Sequence, residues 1–406
     1  MDNAWLYAVI GLAITFDFIN GFHDSANAIS TVVATRALRP WQALAVAGLS
    51  NFLGPFIFGV AVAKAVQGDI LDLHNPIIAH DGLIIVCAAL IGAIVWNLIT
   101  WRMGIPSSSS HALIGGLLGA GVAAAGSSAV KWVANDQMLR FGEVALGAIV
   151  IGAVLGFLGA MAARQEKRGT WAFFAGYVGL AAASVWAVLP GNVALGAVGK
   201  TIVFMVVSPF LGFVVTYLVT LLLMSSLRKA RPGTVNKTFG KLQIASSAFY
   251  SLTHGSNDGQ KTMGIIAGAL VVVGIKAADL PGGDFHATGI PTIVVFTAAT
   301  AIGLGTMFGG WRIVKTMATK ITDLSPYQGF AAETGGGVAL FFMAQQGIPV
   351  STTHAISGSI MGVGATRSMS AVQWGVARRL VVAWIITIPA AALVAAATSL
   401  LLTRIF

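Results

Sequence analysis

Charge is what this chain has least of. Asp, Glu, Lys and Arg make up 9% of its 406 residues, against roughly a quarter in soluble domains, so a water-soluble globular domain is excluded. Apolar stretches long enough to cross a bilayer recur along the chain, at a mean hydropathy of +0.84, and an all-α polytopic membrane protein is expected. Acids are scarcer than bases, 14 against 24, for a formal net charge of +10. The bases fall mostly in short connections between apolar stretches, as in cytoplasmic loops, so the surplus reports topology and not nucleic-acid binding. Cysteine occurs once, at Cys87 in an apolar span, which excludes an internal disulfide. A cleavable leader pattern is lacking too. The first apolar stretch starts near Trp5 and runs straight into a polar motif, so it is expected to be retained.

Polar connections at 69–81, a charged turn at 164–169 and the basic stretch 228–241 punctuate the spans. With five Lys or Arg and no acid, 228–241 is the expected cytoplasmic loop. It divides the chain into 1–227, a first repeat plus intervening spans, and 242–406, a second repeat. Counting interrupted spans as units gives roughly ten to twelve crossings and re-entrant pieces.

What is present is a doubled set of motifs. Residues 104–115 read GIPSSSSHALIG and 347–358 read GIPVSTTHAISG; residues 21–27 read GFHDSAN and 255–261 read GSNDGQK. Gly21 aligns with Gly255 at an offset of 234, and Pro106 with Pro349 at 243. Polar, Gly/Pro-bearing interruptions at matched places in two halves point to a transport site at the interface of repeats. Spacing alone leaves open whether the repeats are parallel or inverted.

Pro106 and Pro349 are expected to stop a helix, and the hydroxyl runs behind them to start another. A helix start offers free N–H groups and the positive end of the dipole, and hydroxyls add donors. Ser108, Ser109 and Ser110 align with Ser351, Thr352 and Thr353; two such starts facing each other would surround a tetrahedral oxyanion without a formal positive charge. A single hydroxyl run in a membrane helix is usually packing or a bond to a carbonyl, but two aligned runs behind the same Gly-Ile-Pro favour a site. His111 and His354 follow the runs and are accessory candidates for bonding the anion, relaying protons or satisfying a carbonyl.

An acid inside a membrane span is costly and functional by default. Asp24 and Asp258 align, each expected in a broken helix, with Asn20, Asn27 and Asn257 supplying neutral oxygens. Carboxylate plus amide and carbonyl oxygens suits a hard cation such as Na⁺, or a carboxyl that accepts H⁺; Asp24 and Asp258 are the candidate Na⁺ ligands. The plain alternative is a buried Asp capping a half-helix. The copies are unequal: His23 faces Asn257, Asn27 faces Lys261 and Ser107 faces Val350. Lys261 balances Asp258, attracts the anion, or points to the membrane surface. Glu333, in FAAETGGGVALFF, is the other acid of interest, with Asn51 as its nearest counterpart in the first half. Asp17 and Glu143 receive no role.

GFHDSANAIST (21–31), GIPSSSSHALIGG (104–116), HGSNDGQKTMGII (254–266) and GIPVSTTHAISGSIMG (347–362) together resemble the inorganic phosphate transporter (PiT) family, in the form of its bacterial members. The resemblance covers both halves and is less diagnostic over 131–227. It implies a cation–phosphate symporter of two inverted repeats working by alternating access. It also implies phosphate at Ser108–Ser110 and Ser351–Thr353, ion-linked roles for Asp24, Asn27, Asn257 and Asp258, and a matching acid at Glu333. Animal-type members have Asn in place of His23 and an acid in place of Asn51, so the coupling ion, Na⁺ or H⁺, stays open, as does a metal–phosphate cargo.

No cofactor is expected beyond the transported cation, and no enzyme activity. The expected partners are phosphate, the coupling cation, the lipid bilayer and a second copy in a homodimer, with the bacterial inner (plasma) membrane as location. A sulfate carrier, an anion channel and an intramembrane hydrolase using Ser110 or Ser351 with a histidine are the rival readings.

Overall fold

The computed structural model describes residues 2–68, 76–162 and 195–405, with short pieces at 175–176, 178–180, 182–184, 186–187 and 192–193. The expected turn at 164–169 and the 69–75 part of the first polar connection lie outside the described residues. The helices are α1 (Asp2–Ala34), α2 (Pro40–Phe58), α3 (Ala61–Gly68), α4 (Pro76–Met103), α5 (Ser109–Ala125), α6 (Asn135–Ala162), α7 (Gly196–Ser226), α8 (Pro232–Val272), α9 (Thr292–Phe308), α10 (Trp311–Lys320), α11 (Pro326–Gln345), α12 (Thr352–Arg367) and α13 (Trp374–Ile405). No strand occurs among the described residues. Among the described residues, six helices are long and apolar enough to cross a bilayer, or seven if α9 and α10, bent by 67° at their junction, form one span. Large apolar side chains such as Leu146, Ile151, Leu155, Ile385 and Leu393 stand exposed on α6 and α13, as lipid-facing surfaces require.

The helices pack in an exchanged pattern. α1 lies against α9 and α10, and α8 against α2 and α3. α5 and α4 lie against α13, and α12 and α11 against α7. α1 and α8 touch each other, as do α2 and α9. Swapping α1 with α8, α2 with α9, α3 with α10, α4 with α11, α5 with α12 and α13 with α7 therefore reproduces most of the contacts. Small residues make the close crossings. A Cβ at Gly115 or Gly119 would collide with the Ile388 or Ala392 carbonyl of α13, and one at Gly358 or Gly362 with the Pro209 or Phe213 carbonyl of α7. These glycines share the 243-residue offset of the proline motifs.

Two apolar cores sandwich a polar layer. The first holds Leu6–Phe16 of α1, much of α4 and α5, and Met263–Leu270 of α8. The second holds Ala26–Val32 of α1, Tyr250 of α8, and much of α11 and α12. α1 thus passes from first core to second, and α8 from second to first. Both helices exceed the membrane core: at about 1.5 Å per residue, 33 and 41 residues span about 50 and 60 Å. The Asp motifs fall in the layer between.

Three expectations are corrected. The Asp motifs do not break their helices: α1 and α8 run through 21–27 and 255–261 without interruption. Gly21 and Gly255 are not turns but contact points, set against the Ile302 and Asn51 carbonyls respectively. The basic stretch 228–241 is a turn only as far as Arg231; from Pro232, placed at the helix N-terminus where its missing N–H costs nothing, it is the start of α8. Its bases Arg228, Lys229, Arg231, Lys237 and Lys241 are all exposed. The third correction concerns the helix stops. Gly104 and Gly347, at φ +66° and +63°, end α4 and α11 ahead of the prolines. Gly104 N–H donates to Trp101 O and Ile105 N–H to Thr100 O, and Gly347 and Ile348 repeat this with Ala344 and Met343. This paired 5→2 and 6→1 closure needs a left-handed residue, which glycine adopts without strain.

Candidate functional site

The hydroxyl runs start helices as the sequence predicts. Ser108 (φ −98°, ψ 110°) caps α5, its Oγ accepting from His111 N–H at 3.2 Å. Ser351 (φ −88°, ψ 115°) caps α12, accepting from His354 N–H at 3.3 Å. α5 runs from the polar layer into the first core and α12 into the second, so the two N-termini meet in the layer. Their contacts are reciprocal. Ser110 Oγ donates to Val350 O at 3.3 Å, and Thr353 Oγ1 donates to Ser107 O at 3.0 Å. Each hydroxyl therefore reaches the residue aligned with the one its counterpart reaches. The His111 and His354 rings meet edge to face, 4.7 Å between centroids.

The Asp helices reach the same point. Asn27 Nδ2 donates to Thr353 Oγ1 at 2.8 Å, and Lys261 Nζ, at the aligned position, donates to Ser110 Oγ at 2.6 Å. Lys261 also bonds Asp258, Asn257 Oδ1 at 2.7 Å and Val350 O at 2.9 Å; it is buried and does not reach the membrane surface. Asp258 Oδ2 accepts from Thr352 Oγ1 at 2.9 Å. His23 Nδ1 lies 2.8 Å from Asp24 Oδ1. Lone charges are too costly to bury this deeply, and these partners offset that cost.

Several predicted residues converge here: Asp24, Asn27, Asn257, Asp258, Lys261, Ser108–Ser110, Ser351–Thr353 and the two histidines. Of the six hydroxyls, two cap, Ser110 and Thr353 bridge the halves, Thr352 binds Asp258, and Ser109 Oγ is buried without a hydrogen-bond partner. Asn20 is buried with its Oδ1 likewise unpaired. Glu333 stands apart in its own shell, accepting from Thr31 Oγ1 at 2.5 Å, Gln243 Nε2 at 3.2 Å and Ser246 Oγ. Asn51 is not its counterpart. It lies on α2, bonded to Thr306 Oγ1 at 2.7 Å and 3.1 Å from His254 Nδ1, whereas Glu333 lies on α11, which the exchange pairs with α4.

One residue escaped the sequence reading. His254 brings Nε2 to 3.3 Å from Asp258 Oδ2, without hydrogen-bond alignment, and Asp24, His254 and Asp258 hold ligand atoms all within 4.8 Å of one another. The signal was its alignment with Asn20 and its place one turn before Asp258. Ser110 Oγ donates to Val350 O and Ser351 Oγ accepts the His354 backbone N–H, and neither hydroxyl hydrogen-bonds a histidine ring among the described residues.

Residues 20–395 match the model of a family described as the phosphate transporter family. A probable low-affinity inorganic phosphate transporter of Rhizobium meliloti is 43% identical over 96% of this chain and 94% of its own. A protein of the same description from Bacillus subtilis is 36% identical over 98% and 97%. A solved structure, the sodium-dependent phosphate transporter, superposes at a TM-score of 0.68 with 24% identity, covering 99% of this chain and 100% of that one, and shares the fold. The motifs that meet in the polar layer all fall within the matched span, and the chain belongs to the phosphate transporter family.

Proposed function

We propose that this integral membrane protein carries inorganic phosphate together with a cation, Na⁺ or H⁺, through two inverted repeats that alternate access. The observation carrying the reading is the meeting of two capped helix N-termini, bridged reciprocally by Ser110 and Thr353 and flanked by Asp24 and Asp258. N–H groups and hydroxyls supply the donors of an oxyanion site, and neither Ser/Thr motif contains an arginine or lysine, so the donors they offer are neutral. The opposite order in which α1 and α8 cross the two cores supports inversion.

The carboxylates explain coupling. At about 5 Å and an effective dielectric near 20, one uncompensated carboxylate repels the anion by roughly 3 kcal/mol, about two orders of magnitude in affinity. A cation at Asp24 removes that penalty, so anion and cation load together. The names of the relatives, low-affinity inorganic phosphate transporters and a sodium-dependent phosphate transporter, support the cargo and the coupling respectively. Purified protein in liposomes is expected to accumulate labelled phosphate only when an inward Na⁺ or H⁺ gradient is imposed. Uptake indifferent to both gradients overturns the coupling, and sulfate competing equally with phosphate overturns the cargo.

A further inference from the structure

Position 27 of α1 and position 261 of α8 are equivalent under the exchange, yet one is an amide and the other an amine. Each reaches the third hydroxyl of a half-helix, Asn27 to Thr353 and Lys261 to Ser110. The surroundings of Lys261 Nζ are all oxygen. They comprise a carboxylate (Asp258), an amide oxygen (Asn257, 2.7 Å), a hydroxyl (Ser110, 2.6 Å) and a backbone carbonyl (Val350, 2.9 Å). That mixture is the ligand set a small hard cation takes from protein. It is drawn from three separate segments: α8, α5 and the strand of chain leading into α12. At the aligned positions the first half has Asp24, Thr353 and Ser107: Thr353 Oγ1 accepts from Asn27 and donates to Ser107 O, Asp24 Oδ1 lies 2.8 Å from His23 Nδ1, and the motif contains no lysine or arginine.

We propose that the Lys261 ammonium is a built-in cation: it fills the second half's cation position permanently, and only the first half's position, around Asp24, exchanges its ion with solution. This deepens the proposed cation coupling and rests on it. Asp258 then needs no external ion before phosphate enters, because Lys261, Thr352 and His254 already surround both of its oxygens. The coupling stoichiometry of this chain is set one cation lower than two open half-sites would give. An ammonium on a tether also ties α8 to the start of α5 and to the approach of α12 in every cycle, which an exchangeable ion cannot do.

The test is Lys261→Asn, which restores the residue of the first half and leaves the four oxygens facing a space an ion can enter. In detergent-purified protein, equilibrium ²²Na⁺ binding is expected to rise by about one ion per chain over wild type. Phosphate binding in Na⁺-free buffer is expected to fall about 100-fold, by the same single-charge repulsion, and to recover to within several-fold at saturating Na⁺. Lys261→Met, which removes the charge and fills the space with an apolar stem, is expected to lose phosphate binding without Na⁺ rescue. A monodisperse Lys261→Asn protein that gains no ²²Na⁺, or whose phosphate binding ignores Na⁺, overturns the proposal. If that variant fails to fold, Lys261→Ser, which also clears the space between the four oxygens, is read by the same two measurements with the same overturning outcomes. Should wild type bind no phosphate at all, the cargo reading fails, while the ²²Na⁺ count still decides the role of Lys261.

Discussion

Ser110 and Thr353 hold the two halves together through hydrogen bonds that a bound anion would compete for. Ser110→Ala and Thr353→Val each remove one donor from the layer without changing charge. Hydrogen bonds to a charged partner are worth about 1.5–3 kcal/mol, so each substitution is expected to raise the apparent KM for phosphate uptake about 10- to 100-fold. Thr353→Ser, which keeps the donor, is expected to stay within a few-fold. A change below twofold in both removal variants would show that these hydroxyls only pack. Ser108 and Ser351 act differently. Their Oγ atoms accept from the helix, so Ser108→Ala and Ser351→Ala are each expected to cost about 1 kcal/mol of stability, read as a lowered melting temperature in detergent. The caps were legible in the sequence because their chemistry is local: proline, then a hydroxyl, then the N–H three residues on. The role of Lys261 was not. Its partners Ser110 and Val350 lie 151 and 89 residues away in sequence, and only the fold chooses among balancing Asp258, attracting the anion and facing the membrane surface.

Among the elements, glycine carries two meanings that sequence alone does not separate. At Gly104 and Gly347 it ends a helix through a left-handed conformation. At Gly21 and Gly255 it sits inside an unbroken helix and lets another helix approach. The polar motif around Asp24 reads as a break because a polar run in apolar sequence ordinarily exposes backbone. Here the polar side chains instead pair across helices, and the backbone ladder stays intact. The contrast gives a stability prediction. Gly358→Ala places a Cβ against the Pro209 carbonyl, where only backbone can yield, and is expected to cost more than 2 kcal/mol through overpacking. Gly240→Ala, inside α8 with nothing within 4 Å of the added methyl, is expected to gain up to about 1 kcal/mol from helix propensity. Thermal unfolding of the two variants side by side checks both signs, and a Gly358→Ala protein as stable as wild type would remove the crossing of α12 on α7 from the list of tight contacts.

For the whole molecule, the arrangement is two apolar cores joined through a polar layer, with a hairpin inserted from each core. α4 and α5 belong to the first core and α11 and α12 to the second, so the GIPSSSS and GIPVSTT tips touch only inside the layer. The doubled motifs announced that geometry, but the exchange of α13 and α7 between halves left no trace in them, because helices that face lipid need only be apolar. Alternating access requires the layer to open toward one face at a time, separating one core's contacts around the tips while the other's stay shut. Ser107 is the reporter for this: its side chain is 0% exposed, and it accepts the Thr353 bond through its carbonyl. In a Cys87→Ala background, chosen because Cys87 is the one native thiol and is itself buried, Ser107→Cys gives a single thiol in the layer. A membrane-impermeant thiol reagent is expected to label it slowly. Phosphate and the coupling cation added together are expected to slow labelling several-fold, by holding the tips closed, and either alone is expected to do little, because each loads poorly without the other. A fixed pore predicts the opposite pattern, with rapid labelling that neither solute changes. Labelling at the rate of an exposed surface cysteine, unaltered by phosphate plus cation, would therefore exclude alternating access and leave the anion-channel reading in its place.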